Sequence, residues 1–283
     1  MSPVHAVVRL HDVADEYVAV ETHWRFGSIR AFYCVFSLTS EDEVIECLRS
    51  VAEQRSSTVS DGSKPASMRS EDVIFDVGGA GLEGRLCVPE EAVGLVVFAH
   101  GTGSSRHSSR NRSVESVLND GGVATLLMDL LSVEEEASQG NVLDVALLGD
   151  RLTATQDWLQ QQPSVAHLPV GLFGVSTGAA AALWSAAEPT SNVAAIVARG
   201  GRPELAGLRL ASVRAPTLLI VGSHDARVLT LNREMLGQLR CEAKLLTVPR
   251  TTHLFEEPGA LAVVAELASD WFLDHFSLDP PCR

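Results

Sequence analysis

No stretch of the chain stays apolar for the roughly 18–20 residues that a helix needs to cross a bilayer. The opening residues, Met1-Ser2-Pro3-Val4-His5, lack a basic segment followed by an apolar one, which argues against a secretory signal. Cysteine is scarce and scattered. Cys34, Cys47, Cys87, Cys241 and Cys282 are odd in number and contain no CxxC pair, so neither a disulfide framework nor a zinc site is expected. Positive charge is short as well: 22 Lys and Arg face 36 Asp and Glu, a formal charge of −14. So acidic a chain is poorly suited to neutralise phosphates, so neither nucleic acid nor an anionic membrane surface is expected as a partner. What is present suffices for a packed core, since 46% of the 283 residues are hydrophobic and 20% are charged. The expectation is a cytoplasmic globular protein with room for one large domain and an appendage.

Residues 56–70 are small and polar, with Gly and Pro and no periodic apolar positions, and read as a linker. They separate an N-terminal appendage, 1–55, from a long domain, 71–278. After the linker, 73–77 and 82–88 read as two strands of a hairpin around Gly78-Gly79-Ala80-Gly81. Continuous apolar runs follow at 94–99, 124–130, 170–173, 193–197, 217–221 and 244–248, as expected of strands buried on both faces of a parallel sheet. Between most of them lie segments with helical spacing, at about 109–120, 142–161, 177–187, 229–239 and 259–276. The pattern predicts an α/β architecture: an eight-stranded, mostly parallel sheet with an antiparallel start, flanked by helices.

Gly174-Val175-Ser176-Thr177-Gly178 falls between a predicted strand and the Ala-rich helix after it. A GxSxG in that setting has a mechanical basis. The serine takes a strained backbone conformation on a sharp turn, and the residues two before and two after must be tiny to avoid a clash. Its hydroxyl then projects above the sheet, beside a helix N-terminus that favours developing negative charge. A serine hydroxyl is a weak nucleophile and needs a base, which needs an orienting group. In this architecture the acid and then the histidine should follow, each just past a strand end. Asp225 and His253 meet that placement; His224 reads as a loop residue, His275 lies near the terminus, and Asp270 and Asp274 sit on the last helix.

Acyl transfer needs two amide donors at the developing oxyanion. One is expected at the N–H of Thr177, the other at the N–H of Thr102 in the loop His100-Gly101-Thr102-Gly103-Ser104-Ser105. His100 is expected to hold this loop by hydrogen bonds. Arg106 in the basic run 106–112, and Arg199 and Arg202 in Arg199-Gly200-Gly201-Arg202, are candidates to meet a substrate carboxylate, weighed against plain loop charges and salt bridges. Only some 15 residues separate the sixth strand from Ala215-Pro216-Thr217, too few for a helical cap domain, so an open site is expected. Glu134-Glu135-Glu136 reads as a helix start or loop, since adjacent acids on one turn do not converge on a metal without further ligands. No metal or organic cofactor is implied.

These residues together resemble the α/β-hydrolase superfamily. The segments Phe98-Ala99-His100-Gly101-Thr102-Gly103-Ser104-Ser105-Arg106, Phe173-Gly174-Val175-Ser176-Thr177-Gly178-Ala179, Arg199-Gly200-Gly201-Arg202-Pro203 and Thr252-His253-Leu254-Phe255-Glu256 are similar to its dienelactone-hydrolase-like branch, over about 71–278. The resemblance implies a Ser-His-Asp hydrolase acting on a small ester-like substrate through a covalent acyl-enzyme. One departure stands out: dienelactone hydrolases themselves carry cysteine as nucleophile, where this chain has Ser176. Members of the branch often occur fused behind a phosphoribosyltransferase domain, and 26–44 is similar to the last strand and helix of such domains. Ser40 and Glu43 there form a capping box, and Val44, Ile45, Leu48 and Val51 one apolar face. The acidic-Gly loop that would hold a phosphoribosyl pyrophosphate is absent from the chain, so 1–55 is expected to be a remnant without transferase activity that packs on the hydrolase or pairs chains into a homo-oligomer. Two other functions share the fold: a catalytically silent ligand-binding protein and a cofactor-free perhydrolase.

Overall fold

The computed structural model describes residues 2–3, 22–23, 68–77 and 79–276. By its internal contacts the chain divides into two units, Met1–Pro65 and Ala66–Arg283. In the first, Ser2–Pro3 and Thr22–His23 form a two-residue parallel pair. The expectations for 26–55 and for the linker up to residue 67 lie outside the described residues.

In the second unit, eight strands form one sheet: β1 (Met68–Val77), β2 (Ala80–Pro89), β3 (Gly94–Ala99), β4 (Val123–Met128), β5 (Val170–Val175), β6 (Ala195–Arg199), β7 (Thr217–Gly222) and β8 (Ala243–Val248). Their spatial order is β8-β7-β6-β5-β3-β4-β2-β1. The pairs β1–β2 and β2–β4 are antiparallel, the rest parallel. β1 begins at Met68, so the last three residues read as linker are strand. They are exposed and polar or flexible in type, and edge pairing with Pro89, Val88 and Cys87 recruits them where periodicity has nothing to report.

The helices are α1 (Ser109–Asp120), α2 (Val133–Glu136), α3 (Gln139–Val142), α4 (Val145–Leu159), α5 (Thr177–Ala186), α6 (Ala226–Leu236) and α7 (Ala260–Phe276). Every residue of β3, β4, β6 and β7 is buried, because helices cover both faces. Alternation sorts the side chains. Val96 and Phe98 of β3 face Val114 and Leu118 of α1 and Phe272 of α7, whereas Leu95 and Val97 face Leu148 and Leu152 of α4 and Ala182 of α5. The edge strand β1 buries Phe75, stacked at 4.2 Å on Trp158, and leaves Ile74 exposed on the other face.

Between β6 and β7 the chain makes a 3-10 segment, Pro203–Ser212, kinked at Gly207, and no cap domain. The segment at 142–161 is two helices rather than one, because Asp144 caps α4 by accepting from the Leu147 N–H. The start of α6 falls three residues earlier than its apolar spacing suggests, because Asp225 is its N-cap. Glu134–Glu136 form the first turn after Ser132, in a capping box with Glu135, whose carboxylate also takes an ion pair from Arg151.

Candidate active site

Ser176 ends β5 and caps α5 with φ 51° and ψ −117°, a region that a non-glycine residue enters only when its surroundings hold it there. Two glycines make the turn fit. A Cβ on Gly178 would overlap the carbonyl oxygen of Ala99, and one on Gly174 would stand 2.8 Å from the Ala179 nitrogen. The Ser176 peptide is held on both sides by the loop after β6: its N–H donates to Arg199 O at 3.2 Å, and its carbonyl accepts from the Arg202 N–H at 3.1 Å. Gly201, between them, closes against Ala179, and its carbonyl accepts from the buried Asn232 amide at 2.9 Å.

The loops after β7 and β8 cross one another. Ser223 donates to Val248 O at 2.9 Å, His224 to Thr251 O at 2.9 Å, and Arg250 N–H to Ser223 Oγ at 2.7 Å. The crossing requires Gly222, whose missing Cβ would overlap Thr251 O. It brings Asp225 and His253 together: His253 Nδ1 donates to Asp225 Oδ2 at 2.6 Å, and Oδ1 accepts from the Val228 N–H at 3.3 Å. A proton on Nδ1 leaves Nε2 as the basic nitrogen. The Asp225 side chain is 14% exposed and the His253 ring 40%, so the acid is shielded while the base faces the opening. Beneath the ring lies Gly200, at φ 54°, where a Cβ would be 3.4 Å from His253 Cε1. Arg199-Gly200 thus touches the Ser176 peptide on one side and the His253 ring on the other. A hydrogen bond between Ser176 Oγ and His253 is not among those formed by the described residues. Glu257 steadies the far end of the loop by accepting from the Thr252 N–H at 2.8 Å. Burial raises the Glu257 carboxyl, and hydrogen bonds from Thr252 and its own backbone more than offset this, holding it below the usual carboxylate range.

The two expected oxyanion donors differ in their partners. The Thr177 N–H opens α5 and has no partner among the described residues. The Thr102 N–H is occupied: it donates to Thr177 Oγ1 at 3.1 Å, and the two hydroxyls lie 3.1 Å apart. His100 accepts from the Leu130 N–H at 3.4 Å and donates from Nδ1 to Gly101 O at 3.1 Å, so it braces this loop. A cavity of about 790 Å³ opens alongside, walled by Thr102, Ser105, Ser109 and Arg110 on one side and by Val142 and Leu143 on the other. A small void that shares Thr102 and Val142 with it reaches Thr177.

The three arginines part company. Arg106 pairs with Asp129 and Glu83, and its backbone N–H donates to Asp129 Oδ1 at 2.7 Å. Arg202 pairs with Glu204, two residues on. Both carry counter-charges that a sequence reading cannot assign. Arg199 is 5% exposed and has no carboxylate partner among the described residues. Sequence reasoning took Arg199-Gly200-Gly201-Arg202 for its side chains and missed that its backbone holds the Ser176 turn. The Gly-Gly pair was the signal for a close approach. It missed Asn232 as well, since a lone Asn on a helix carries none.

Comparison with known proteins fits this geometry. A dienelactone hydrolase from Anabaena variabilis ATCC 29413 is 50% identical in sequence, with a TM-score of 0.72, over 74% of this chain and 98% of that one. The chain belongs to the dienelactone-hydrolase family of α/β-hydrolases. Within the wider fold, Est1E from Butyrivibrio proteoclasticus matches 73% of this chain and 99% of its own at 18% identity, with a TM-score of 0.62. Two Mycobacterium tuberculosis proteins, from strains CDC 1551 / Oshkosh and ATCC 25618 / H37Rv, are each 49% identical over 276 residues, 97% of this chain, and each is called "Putative phosphoribosyl transferase". The chain spans 62% of the length of these curated relatives. No family model matches. Among the described residues, no helix is long and apolar enough to cross a membrane.

Proposed function

We propose that this protein hydrolyses a carboxylic ester or a related acyl bond of a small molecule through a Ser176-His253-Asp225 triad. The 2.6 Å pairing of His253 Nδ1 with Asp225 carries this reading, because it leaves Nε2 as the basic nitrogen on the loop that overlies Gly200, whose neighbour Arg199 accepts the N–H of the strained Ser176. In the first half-reaction, Ser176 Oγ bonds to the acyl carbon as His253 Nε2 takes its proton. The C–O bond to the alcohol then breaks, and His253 returns that proton to the departing oxygen. In the second, water attacks the acyl-enzyme with His253 again as base, releasing the acid and restoring the serine. Asp225 stabilises the imidazolium in both. The Thr177 N–H is one oxyanion donor. The Thr102 N–H becomes the second when the Thr177 hydroxyl turns away from it.

The test is a Ser176→Ala variant assayed on p-nitrophenyl acetate. The expected loss of turnover is about 10⁴–10⁶. Wild-type rates in the variant would remove Ser176 from the mechanism.

A further inference from the structure

The loop between β3 and α1, residues 100–108, carries the Thr102 amide and lies against Ser176. A Cβ on Gly101 would stand 3.0 Å from Ser176 Cβ and 3.0 Å from Val175 O. Two turns shape the loop: the Ser104 N–H donates to Gly101 O at 3.1 Å and the Ser108 N–H to Ser105 O at 3.0 Å, with Gly103 at φ 74°. Those bonds are internal, so they give the loop a form without fixing where it sits. The Thr102–Thr177 bond does fix it in the free protein. The proposed mechanism opens that bond when the oxyanion takes the amide, so another tie must then hold Thr102 in place.

Among the described residues, the remaining polar ties from this loop to the sheet are made at its two ends. At the near end, His100 Nε2 accepts from the Leu130 N–H at 3.4 Å. At the far end, Asp129 takes both the backbone and the side chain of Arg106: Oδ1 accepts the N–H at 2.7 Å, and Oδ2 pairs with the guanidinium. Oδ1 also stands 3.6 Å from His100 Nε2, so one carboxylate borders both ends of the loop. The anchor is itself fixed. Asp129 is the first residue past β4, its N–H donates to Glu83 O at 3.0 Å on β2, and the Glu83 carboxylate pairs with the same guanidinium. Its side chain is 14% exposed, shielded enough for a two-point charge-assisted contact to hold its geometry, where a fully exposed pair would contribute little. Neither Asp129 nor Arg106 lines the 790 Å³ cavity or the small void beside it.

We infer that Asp129 is a positioning residue: by gripping Arg106 at both its N–H and its guanidinium, it keeps the Thr102 amide beside Ser176 while the Thr177 bond is open. This rests on the hydrolase reading above. The role needs both carboxylate oxygens. An amide in the same place keeps one acceptor for the Arg106 N–H but turns donors toward the guanidinium, and a methyl keeps neither contact.

The experiment assays Asp129→Ala, Asp129→Asn and Arg106→Gln on p-nitrophenyl acetate. Misplacing an oxyanion donor weakens the transition state and not the bound ester, so kcat is expected to fall with KM little altered. The loss should be about 10²-fold in Asp129→Ala, smaller in Asp129→Asn, which restores the backbone contact, and smallest in Arg106→Gln. The Asp129→Ala/Arg106→Gln double variant should lose no more than Asp129→Ala alone, because the two act as one unit. Full kcat in Asp129→Ala, even with a lowered Tm, would overturn the proposal, and so would a loss confined to KM. Should Asp129→Ala fail to fold, Asp129→Asn and Arg106→Gln give the same comparison. Hydrogen exchange of the peptide spanning 100–108, read by mass spectrometry, separates this proposal from the hydrolase reading. Several-fold faster exchange there in Asp129→Asn, with the loops at 223–226 and 249–253 unchanged, supports the anchor even in a protein that cleaves no ester. Unchanged exchange at 100–108 overturns the anchor and leaves the hydrolase reading standing.

Discussion

At the β7–β8 corner, Asp225 and His253 share a 2.6 Å hydrogen bond, whereas at the β3 corner the Thr102 amide is committed to the Thr177 hydroxyl 3.1 Å away. The first corner is assembled before any substrate arrives: three further hydrogen bonds tie its two loops, which close over a glycine. The second is a ring of small polar groups around a cavity, in which the Thr177 N–H has no partner among the described residues and the Thr102 N–H is engaged. In the proposed mechanism the difference means that proton transfer is preorganised, while charge stabilisation is completed only when a substrate competes for a donor.

The largest effect should come from the assembled corner. Asp225→Asn keeps the shape but reverses the hydrogen-bond preference of its partner, favouring the imidazole tautomer with the proton on Nε2, and should lower kcat by about 10⁴ on p-nitrophenyl acetate. Loss of only a few-fold would mean that the Asp225–His253 pair is structural. Gly222→Ala attacks the same corner from the backbone: the added methyl meets Thr251 O, and a shift of about 1 Å between the loops should cost about 10² in kcat with KM little altered. A drop in Tm with full specific activity would contradict this. The smallest effect should come from the unfinished corner. Thr177→Val keeps the volume but removes the competitor for the Thr102 N–H, and should raise kcat/KM about fivefold, the value of about 1 kcal/mol for one hydrogen bond. A decrease of similar size would show instead that the hydroxyl holds the Thr102 loop in its working position.

The architecture was readable because it is written locally. Strands β3, β4, β6 and β7 are unbroken apolar runs, and a sheet covered on both faces demands such runs. Ser176, Asp225 and His253 were readable as candidates because each stands just past a strand end, where side chains reach the open face of the sheet. What was not readable depends on partners distant in sequence. The counter-charge of Arg106 comes from Asp129, 23 residues on, and the occupant of the Thr102 amide from Thr177, 75 residues on; neither position carries any local pattern. Arg199 is the converse case: sequence placed it in a charged loop, and only burial without a carboxylate distinguishes it from Arg202. The start of α6 was misjudged for a related reason, since Asp225 serves both as helix cap and as partner of His253.

The central claim is that the Ser176 hydroxyl is a nucleophile activated by His253. The most direct measurement is the intact mass and peptide map of the full chain after reaction with an alkyl fluorophosphonate, in which an activated serine bonds to phosphorus and fluoride leaves. The account predicts one adduct per chain, on Ser176, formed at least about 10³ times more slowly in His253→Ala. An unmodified chain, or an adduct on Ser176 that forms as fast without His253, would contradict it.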